Sequence, residues 1–141
     1  MIIMSIDLGK ARTGLAVCDK EEILASPLCV IQEWNTEKLA AKVAAKSKEV
    51  NSQKIVLGLP KNMDGSEGES AINARNFAEL LSKLTDVPIE FQDERCTTIT
   101  AHTYLNETNT RGKKRKSVID AVAATIILED YLRKSNNAKS L

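Results

Sequence analysis

The hydrophobic period of the sequence changes near residue 35, and this change limits the folds that the chain can adopt. Before that point, three short apolar runs cover residues 2–7, 14–19 and 23–31, and the turns "LGKART" and "KEE" join them. Short turns between β-rich runs favour a meander of antiparallel strands. We therefore expect the first thirty residues to form three adjacent strands.

After residue 35, predicted helices alternate with predicted strands. Apolar spacing predicts helices over 35–50, 71–84, 97–107 and 117–135, and strands over 54–60 and 87–94. Polar loops lie at 61–70, where an Asp-Gly turn occurs, and at 108–116. Strands that are joined through helices run parallel. The order predicts an α/β fold, in which a three-stranded antiparallel meander and two parallel strands form a five-stranded mixed sheet with helices on both faces.

The composition favours one soluble globular domain over residues 1–141, with a flexible tail over about 135–141. Because the formal net charge is only +1, nucleic-acid binding would need a local basic patch. No apolar run approaches the roughly 18 residues of a membrane span. The three cysteines contain no C-x-x-C pair, which is typical of small buried side chains in a reducing cytosol. We expect a cytoplasmic protein without a membrane partner.

Three acidic residues fall at the ends of predicted strands. Asp7 ends the first strand, and Asp93 and Glu94 end the last one. The carboxyl ends of parallel strands meet at one edge of a sheet, where open α/β folds place their sites. Gly9 and Gly14 would let the chain turn beside Asp7. The pattern predicts a cluster of carboxylates at this edge.

A fourth acid, Asp120, lies near the start of the last predicted helix. At about 100° per residue, Asp120 shares one helical face with Ala124, Ile127 and Tyr131. An acid on this packing face, one turn from the helix N-terminus, is expected to approach the same end of the sheet.

Acids that meet at a half-buried edge repel each other unless a cation neutralises them. Oxygen ligands suit Mg²⁺ or Mn²⁺, and zinc is not expected because the one histidine, His102, has no Cys or His partner at ligand spacing. Each acid also has a simpler interpretation. Asp7 could form a turn, "DER" could be a surface salt-bridge cluster, and the helix dipole could stabilise Asp120. The pattern alone leaves both interpretations open.

Four motifs carry a resemblance to a known family. They are "IDLGKARTGLAVCD" (6–19), "IVLGLPKNMDGSEG" (55–68), "QDERCTT" (92–98) and "DAVAATIILEDYL" (120–132). Together they resemble the YqgF family, also called RuvX or pre-16S rRNA nuclease, over residues 3–132. The resemblance implies a ribonuclease H-like fold and metal-dependent nuclease chemistry. Family members are described either as Holliday junction resolvase homologues or as nucleases that mature the 5′ end of small-subunit ribosomal RNA.

The resemblance also implies which acids act. Asp7, Glu94 and Asp120 match the catalytic and metal-binding acids of the family, and Asp93 is an alternative ligand to its neighbour Glu94. Our hypothesis is hydrolysis with two Mg²⁺ (or Mn²⁺) ions, which Asp7 would bridge. One ion would activate a water molecule and the other would stabilise the leaving oxygen.

Basic residues are the expected contacts to substrate phosphates. "RGKKRK" places five of them immediately before the Asp120 helix: Arg111, Lys113, Lys114, Arg115 and Lys116. A solvated loop is the alternative interpretation, but a basic run beside acids favours phosphate binding that weakens with salt. Arg12, Thr13 and Arg95 flank the acids and are further candidates.

Two other features have two interpretations each. The loop "NMDGSEG", with Asn62, Asp64 and Gly65, is either a mobile loop over the site or a simple turn. Trp34 follows the third strand and is expected in the core or at its rim. Because the chain has only two Phe, two Tyr and one Trp, no stacking platform for single-stranded nucleic acid is expected. Recognition should then rest on backbone and shape.

The predicted function is a metal-dependent endonuclease that acts on structured nucleic acid and processes the 5′ end of pre-16S rRNA in ribosome biogenesis. The alternatives are a Holliday junction resolvase in DNA recombination and repair, and a non-catalytic nucleic-acid-binding module. "DLGKARTG" is also similar to the first phosphate loop of actin-like ATPases and sugar kinases, but those proteins need two such domains. Expected partners are pre-rRNA or branched DNA, with ribosomal particles as further candidates, and the chain is expected to be a monomer or a homodimer.

Overall fold

The computed structural model of the chain describes residues 1–61, 64–93 and 112–139, with side chains in the last segment described over 121–135. The strands and helices follow in chain order as β1 (Ile3–Asp7), β2 (Arg12–Cys18), β3 (Ala25–Gln32), α1 (Thr36–Glu49), β4 (Lys54–Leu59), α2 (Glu69–Ser82), β5 (Ile89–Asp93) and α3 (Gly112–Lys139). The order of strands and helices agrees with the prediction. The helix predicted over 97–107 lies outside the described residues.

The five strands form one mixed sheet in the order β3-β2-β1-β4-β5. Strand β1 pairs antiparallel with β2, and β2 with β3. On the other side, β1 pairs parallel with β4, and β4 with β5. The predicted meander followed by parallel strands is therefore confirmed. The carboxyl ends of β1, β4 and β5 lie at one edge of the sheet, which we call the carboxyl edge.

The helices cover both faces of the sheet, as predicted. Large apolar side chains of the strands pack against α1 and α2 on one face: Met4, Ile6, Leu15, Ile55, Leu57 and Leu59. We call this the α1/α2 face. On the opposite face, the α3 face, helix α3 packs against Ile3 and against smaller residues of the strands: Ala16, Cys18, Ala25 and Val56. Since strand side chains alternate, neighbouring residues of one strand lie on opposite faces.

Helix α3 begins earlier than the sequence pattern predicts. The predicted helix begins at Ser117, but the structure begins it at Gly112, so the basic residues of 113–116 are helical and the predicted basic loop is wrong there. Lys and Arg are good helix formers, and after Gly112 no residue interrupts the helix. At its other end the helix continues to Lys139 and includes most of the residues assigned to a tail. In the described part of the chain, no helix is long and apolar enough to cross a membrane.

Candidate active site at the carboxyl edge

Asp7 is the last residue of the central strand β1, and its side chain is half-buried. The neighbours of Asp7 show on which face of the sheet its side chain lies. Two residues earlier, the Ser5 hydroxyl donates a 2.6 Å hydrogen bond to the Ala124 carbonyl oxygen of α3. The residues on either side of Asp7, Ile6 and Leu8, pack on the opposite face, with α1 and α2. Asp7 therefore belongs to the α3 face at the carboxyl edge.

Glycines lie on both sides of Asp7 in the sheet. Gly14 of β2 is in register with Asp7, so it belongs to the same face. On the other side, Ile6 is in register with Leu57, and the next residue of β4 is Gly58. Neither neighbouring strand thus places a side chain beside Asp7. We expected Gly14 to serve the turn, but it lies inside β2, where it is buried and places no side chain beside the carboxylate.

The turn after Asp7 is tight because of Gly9. A Cβ atom at this position would overlap the carbonyl oxygen of Arg12, so no residue with a side chain fits there without moving the backbone. The Gly9 N–H also donates to the Thr13 hydroxyl over 3.5 Å. Only 1% of Thr13 is exposed, and this residue alternates with Gly14 to lie on the α1/α2 face. In the structure, Thr13 supports the turn and has little surface for a substrate.

Arg12 is brought to the same face and edge as Asp7. It is the first residue of β2 and precedes Gly14 by two positions, so both lie on the α3 face. Its side chain is half-buried. A guanidinium at this position can donate hydrogen bonds to phosphate oxygens that approach Asp7.

The backbone of residue 120 lies level with Asp7. The Ser5–Ala124 hydrogen bond fixes the position of α3 over β1, and the Lys54–Tyr131 bond of 2.8 Å fixes its direction, toward the amino ends of the strands. From Ser5 to Asp7 the strand advances by about 6.7 Å. From Ala124 back to residue 120 the helix advances by about 6 Å in the same direction. Along the direction of the strands, the backbones of residues 7 and 120 therefore lie at nearly the same level.

Asp93 belongs to the other face. It is in register with Leu59, which packs with α1 and α2, and it is half-buried. Its neighbour Gln92, which is in register with Gly58, lies on the α3 face with only 6% of its surface exposed. Asp93 therefore does not share a face with Asp7. Glu94 and Arg95 lie outside the described residues.

Only one of the three predicted metal ligands, Asp7, has a described side chain. Among the side chains that the structure describes, no group of three His, Cys, Asp or Glu residues could hold a metal ion. The surroundings of Asp7 still fit a hard cation, because a carboxylate is an oxygen donor and neither neighbouring strand has a side chain beside it. The described cysteines do not compete, since burial raises the pKa of the Cys18 and Cys29 thiols and favours their neutral form.

The loop after β4 contains the predicted Asp-Gly turn. The Asp64 carboxylate accepts hydrogen bonds from the Ser66 N–H at 2.9 Å and from its hydroxyl at 2.6 Å. Gly65 has a φ of +88°, a value that favours glycine. Arg75 of α2 holds Glu67 through two hydrogen bonds, at 2.6 and 2.8 Å, and keeps the pKa of Glu67 below its usual value. The described part of this loop, 64–68, is a hydrogen-bonded turn anchored to α2, and Asn62 lies outside the described residues.

The basic run approaches the site through the first turns of α3. The backbone of 113–116 is helical and precedes residue 120 by about one to two turns. The side chains of Lys113, Lys114, Arg115 and Lys116 are not described, and Arg111 lies outside the described residues. The structure therefore gives the place of the run in the fold but not its contacts.

Ser5 is a functional candidate that the sequence reasoning missed. It is fully buried in β1, and its hydroxyl ties that strand to α3 two residues before Asp7. A single serine within the apolar run "IIMSI" was the signal, because a buried hydroxyl needs a hydrogen-bond partner.

Comparison with known proteins agrees with the fold. The structure of Thermus thermophilus RuvC in complex with a Holliday junction substrate matches with a TM-score of 0.61 at 14% identity, over 96% of each chain. The chain thus has the ribonuclease H-like fold, which the resemblance implied.

The family follows from sequence. The model of the family described as "RuvX: Holliday junction resolvase" matches residues 1–134. A relative from Anaeromyxobacter sp. (strain Fw109-5) is 42% identical over 132 residues, covering 94% of this chain and 96% of its own. One from Protochlamydia amoebophila is 41% identical over 140 residues, covering 92% and 91%. Both are named as pre-16S rRNA nucleases. The chain belongs to the RuvX family, and the predicted membership is confirmed.

Proposed function

We propose that the chain is a divalent-metal-dependent endonuclease that hydrolyses a phosphodiester bond in pre-16S rRNA, at its 5′ end. The proposal that it is a nuclease rests on its family and on relatives of about 40% identity that are named for this activity. The observation that supports the site is that Asp7 and the backbone of residue 120 lie at about the same height along the strands, with α3 packed over β1. The substrate is taken from the names of the relatives.

Three acids would hold the metal: Asp7, Glu94 and Asp120. Asp93 is not retained, because its register assigns it to the face opposite Asp7. When bound, a divalent cation activates a water nucleophile and neutralises charge at the leaving oxygen. We expect Mg²⁺ or Mn²⁺, and two ions, because all three ligands are carboxylates and two-ion sites are common in nucleases.

The residues of the chain would contribute orientation and charge. Asp7 is at the end of a strand that is hydrogen-bonded on both sides, so the backbone that carries its carboxylate is fixed before substrate arrives. Arg12, on the same face, would bind the phosphate beside the scissile bond. The basic run of 113–116 would bind phosphates further along the substrate, as would Arg95 and Arg111. Thr13 is left with its structural role in the turn.

The test is cleavage of a pre-16S rRNA fragment by the wild-type protein and by Asp7→Asn, with and without Mg²⁺. We expect metal-dependent cleavage by the wild type only. Asp86→Asn is the matched control, because Asp86 is exposed and lies before β5, at the opposite edge of the sheet. This variant should cleave as the wild type does. Equal rates for wild type and Asp7→Asn would contradict the site, and absence of cleavage by the wild type would contradict the function.

Resolution of Holliday junctions is the second candidate. The description of the matching family favours it. A resolvase cuts two symmetric strands, so it needs two copies of the site. The same assay with a four-way DNA junction, together with the oligomeric state in solution, separates the two. Faster cleavage of the junction by a dimer would favour the resolvase, and faster cleavage of the RNA would favour processing.

A further inference from the structure

A second concave surface lies on the α1/α2 face, and therefore opposite Asp7. It begins at the carboxyl edge and extends along α2 as far as Lys83. It has a volume of 810 Å³ and lies between the β1–β2 turn, the β3–α1 connection and helix α2. We call it the Trp34 groove. The residues that matter for the argument are Lys10, Trp34, Asn73, Asn76, Phe77 and Lys83. Its volume is typical of clefts that bind small molecules or segments of a polymer, about 300–1,000 Å³.

Trp34 is not in the core, contrary to one expectation from the sequence, since 76% of it is exposed. The backbone around it is nevertheless fixed. The Glu33 N–H donates to the Ala11 carbonyl oxygen at 3.0 Å, and the Glu33 carboxylate holds Lys42 at 2.8 Å. On the other side, Asn35 caps α1 by accepting a hydrogen bond from the Lys38 N–H at 2.9 Å. The backbone on both sides of Trp34 is thus fixed, and the indole lines the groove with most of its ring open to solvent.

The walls of the groove are polar, and its floor is apolar. Asn73 and Asn76 are exposed on α2 and are three residues apart, so both face the same side of that helix. Each amide can donate and accept hydrogen bonds, as base edges require. Lys10 and Lys83 bring positive charge, and Phe77 lies beneath. Two acids also line it, Glu33 and Glu79, but Glu33 is already neutralised by Lys42.

The β1–β2 turn connects the Trp34 groove with the candidate active site. Leu8, Gly9 and Lys10 line it, and they follow Asp7 directly. The hydrogen bond from Glu33 to Ala11 ties the segment that carries Trp34 to this same turn. A polynucleotide with its scissile phosphate at Asp7 would therefore need to pass only over the β1–β2 turn to reach Trp34.

We propose that the Trp34 groove binds a single-stranded segment of the nucleic-acid substrate next to the cleavage site, with one base stacked on Trp34. An exposed aromatic ring beside lysines and amides is the chemistry that binds unpaired bases without strict sequence preference. The choice of nucleic acid as the occupant rests on the proposed function. This exposed ring would supply a stacking contact that the small number of aromatic residues in the sequence did not lead us to expect.

Intrinsic fluorescence tests this directly, because Trp34 is the only tryptophan of the chain. The probe is a single-stranded RNA of roughly ten nucleotides, with DNA of the same sequence and the matching RNA duplex as separate arms. The protein is Asp7→Asn without divalent metal, and binding is followed in parallel by anisotropy of a labelled strand. We expect both single strands to quench the emission as they bind, and the duplex to quench it much less. Binding without quenching, or no binding of either single strand, would overturn the proposal.

Substitutions at Trp34 separate stacking from simple proximity. Trp34→Ala should weaken binding of the single strand by about tenfold, and Trp34→Phe should retain most of it because a ring is kept. Ile23→Ala is the matched control, since Ile23 is 79% exposed in the turn between β2 and β3, at the opposite edge of the sheet. This variant should bind the single strand as the parent protein does. Equal losses for Trp34→Ala and Trp34→Phe, or no loss for either, would count against stacking.

Cleavage kinetics distinguish failure of this inference from failure of the proposed function. In the chain with Asp7 intact, Trp34→Ala should raise KM for a substrate with a single-stranded flank by about tenfold and leave kcat unchanged. If the wild type cleaves the substrate and Trp34→Ala changes neither KM nor kcat, only the proposal for the groove is overturned. Quenching by single strands without any cleavage would support the groove and overturn the nuclease.

Discussion

The two faces of the sheet differ in the size of the side chains that they carry, and this difference separates stability from chemistry. On the α1/α2 face, the central strands present Met4, Ile6 and Leu57, which are fully buried. On the α3 face, the same strands present Ser5, Gly14 and Gly58 toward the carboxyl edge. Large apolar residues supply most of the burial free energy. Small and polar ones surround Asp7, the acid of the candidate site.

The largest stability effect is expected on the α1/α2 face. Phe77→Ala would remove a side chain that is 1% exposed at the centre of this core, at a cost of about 3–5 kcal/mol in the free energy of unfolding. Urea denaturation measures it. A cost below about 1 kcal/mol would show that the α1/α2 face is not the main source of stability. At a temperature where the variant remains folded, kcat per folded molecule should stay near that of the wild type. Because Phe77 lies beneath the Trp34 groove, any change in cleavage should be a rise in KM.

For Gly14→Ala we expect the opposite of Phe77→Ala: a large loss of activity with little loss of stability. A methyl group beside Asp7 would displace the carboxylate or a cation there, and a displacement of about 1 Å can reduce the rate by about a hundredfold. The measurements are kcat/KM at several Mg²⁺ concentrations and the melting temperature. We expect a lower kcat/KM, with more Mg²⁺ needed for half-maximal rate. An unchanged rate in the folded variant would mean that the space beside Asp7 is not used.

A smaller effect on both properties is expected for Ser5→Ala. The variant loses the 2.6 Å hydrogen bond to the Ala124 carbonyl oxygen, a loss of about 1 kcal/mol in stability. Because this bond positions α3 over β1, the rate should fall as well. Ser47→Ala is a useful comparison, since Ser47 is also buried but interacts with Ser52 far from Asp7. Equal rates for the two variants would contradict the positioning role of Ser5.

The smallest effect is expected at the amino edge of the α3 face. The Tyr131 hydroxyl accepts from Lys54 at 2.8 Å and donates to Glu90 at 2.7 Å, and this contact, together with Lys54, lowers the pKa of Glu90. A lowered carboxyl pKa stabilises the fold above its unfolded pKa of about 4.3, and this contribution is lost as the pH falls through the lower folded value. Tyr131→Phe should cost up to about 1 kcal/mol at neutral pH and less in acid. A pH-independent cost would contradict this.

Much of this fold could be predicted because its signals are local. Strand and helix periods, short turns and helix crossovers together determine the strand order, and the carboxyl edge follows from that order. The start of α3 was missed because Gly112 is followed by a basic run that reads equally as a loop. The exposure of Trp34 could not be predicted, since it depends on how the β3–α1 connection is tied to Ala11. The place of Gly14 was missed because β2 begins two residues earlier than its apolar pattern.

The candidate site could be predicted only in part. Alternation along β5 requires Asp93 and Gln92 to lie on opposite faces, but only the register with Leu59 shows which face Asp93 takes. The expectation for Asp120 depended on a helical face, and the structure shows Ala124 and Ile127 of that face packed on the sheet. The roles of Glu94 and Asp120 stay predictions.

The central claim is that catalysis belongs to the α3 face, and one pair of variants tests it. Asp7→Asn and Asp93→Asn make the same change at the same edge of the sheet but on opposite faces. We predict that metal-dependent cleavage falls by more than about a hundredfold in Asp7→Asn, since even partners of metal ligands are worth ten- to a hundredfold. Asp93→Asn should cleave at close to the wild-type rate. A folded Asp7→Asn protein that cleaves normally while Asp93→Asn does not would contradict the account.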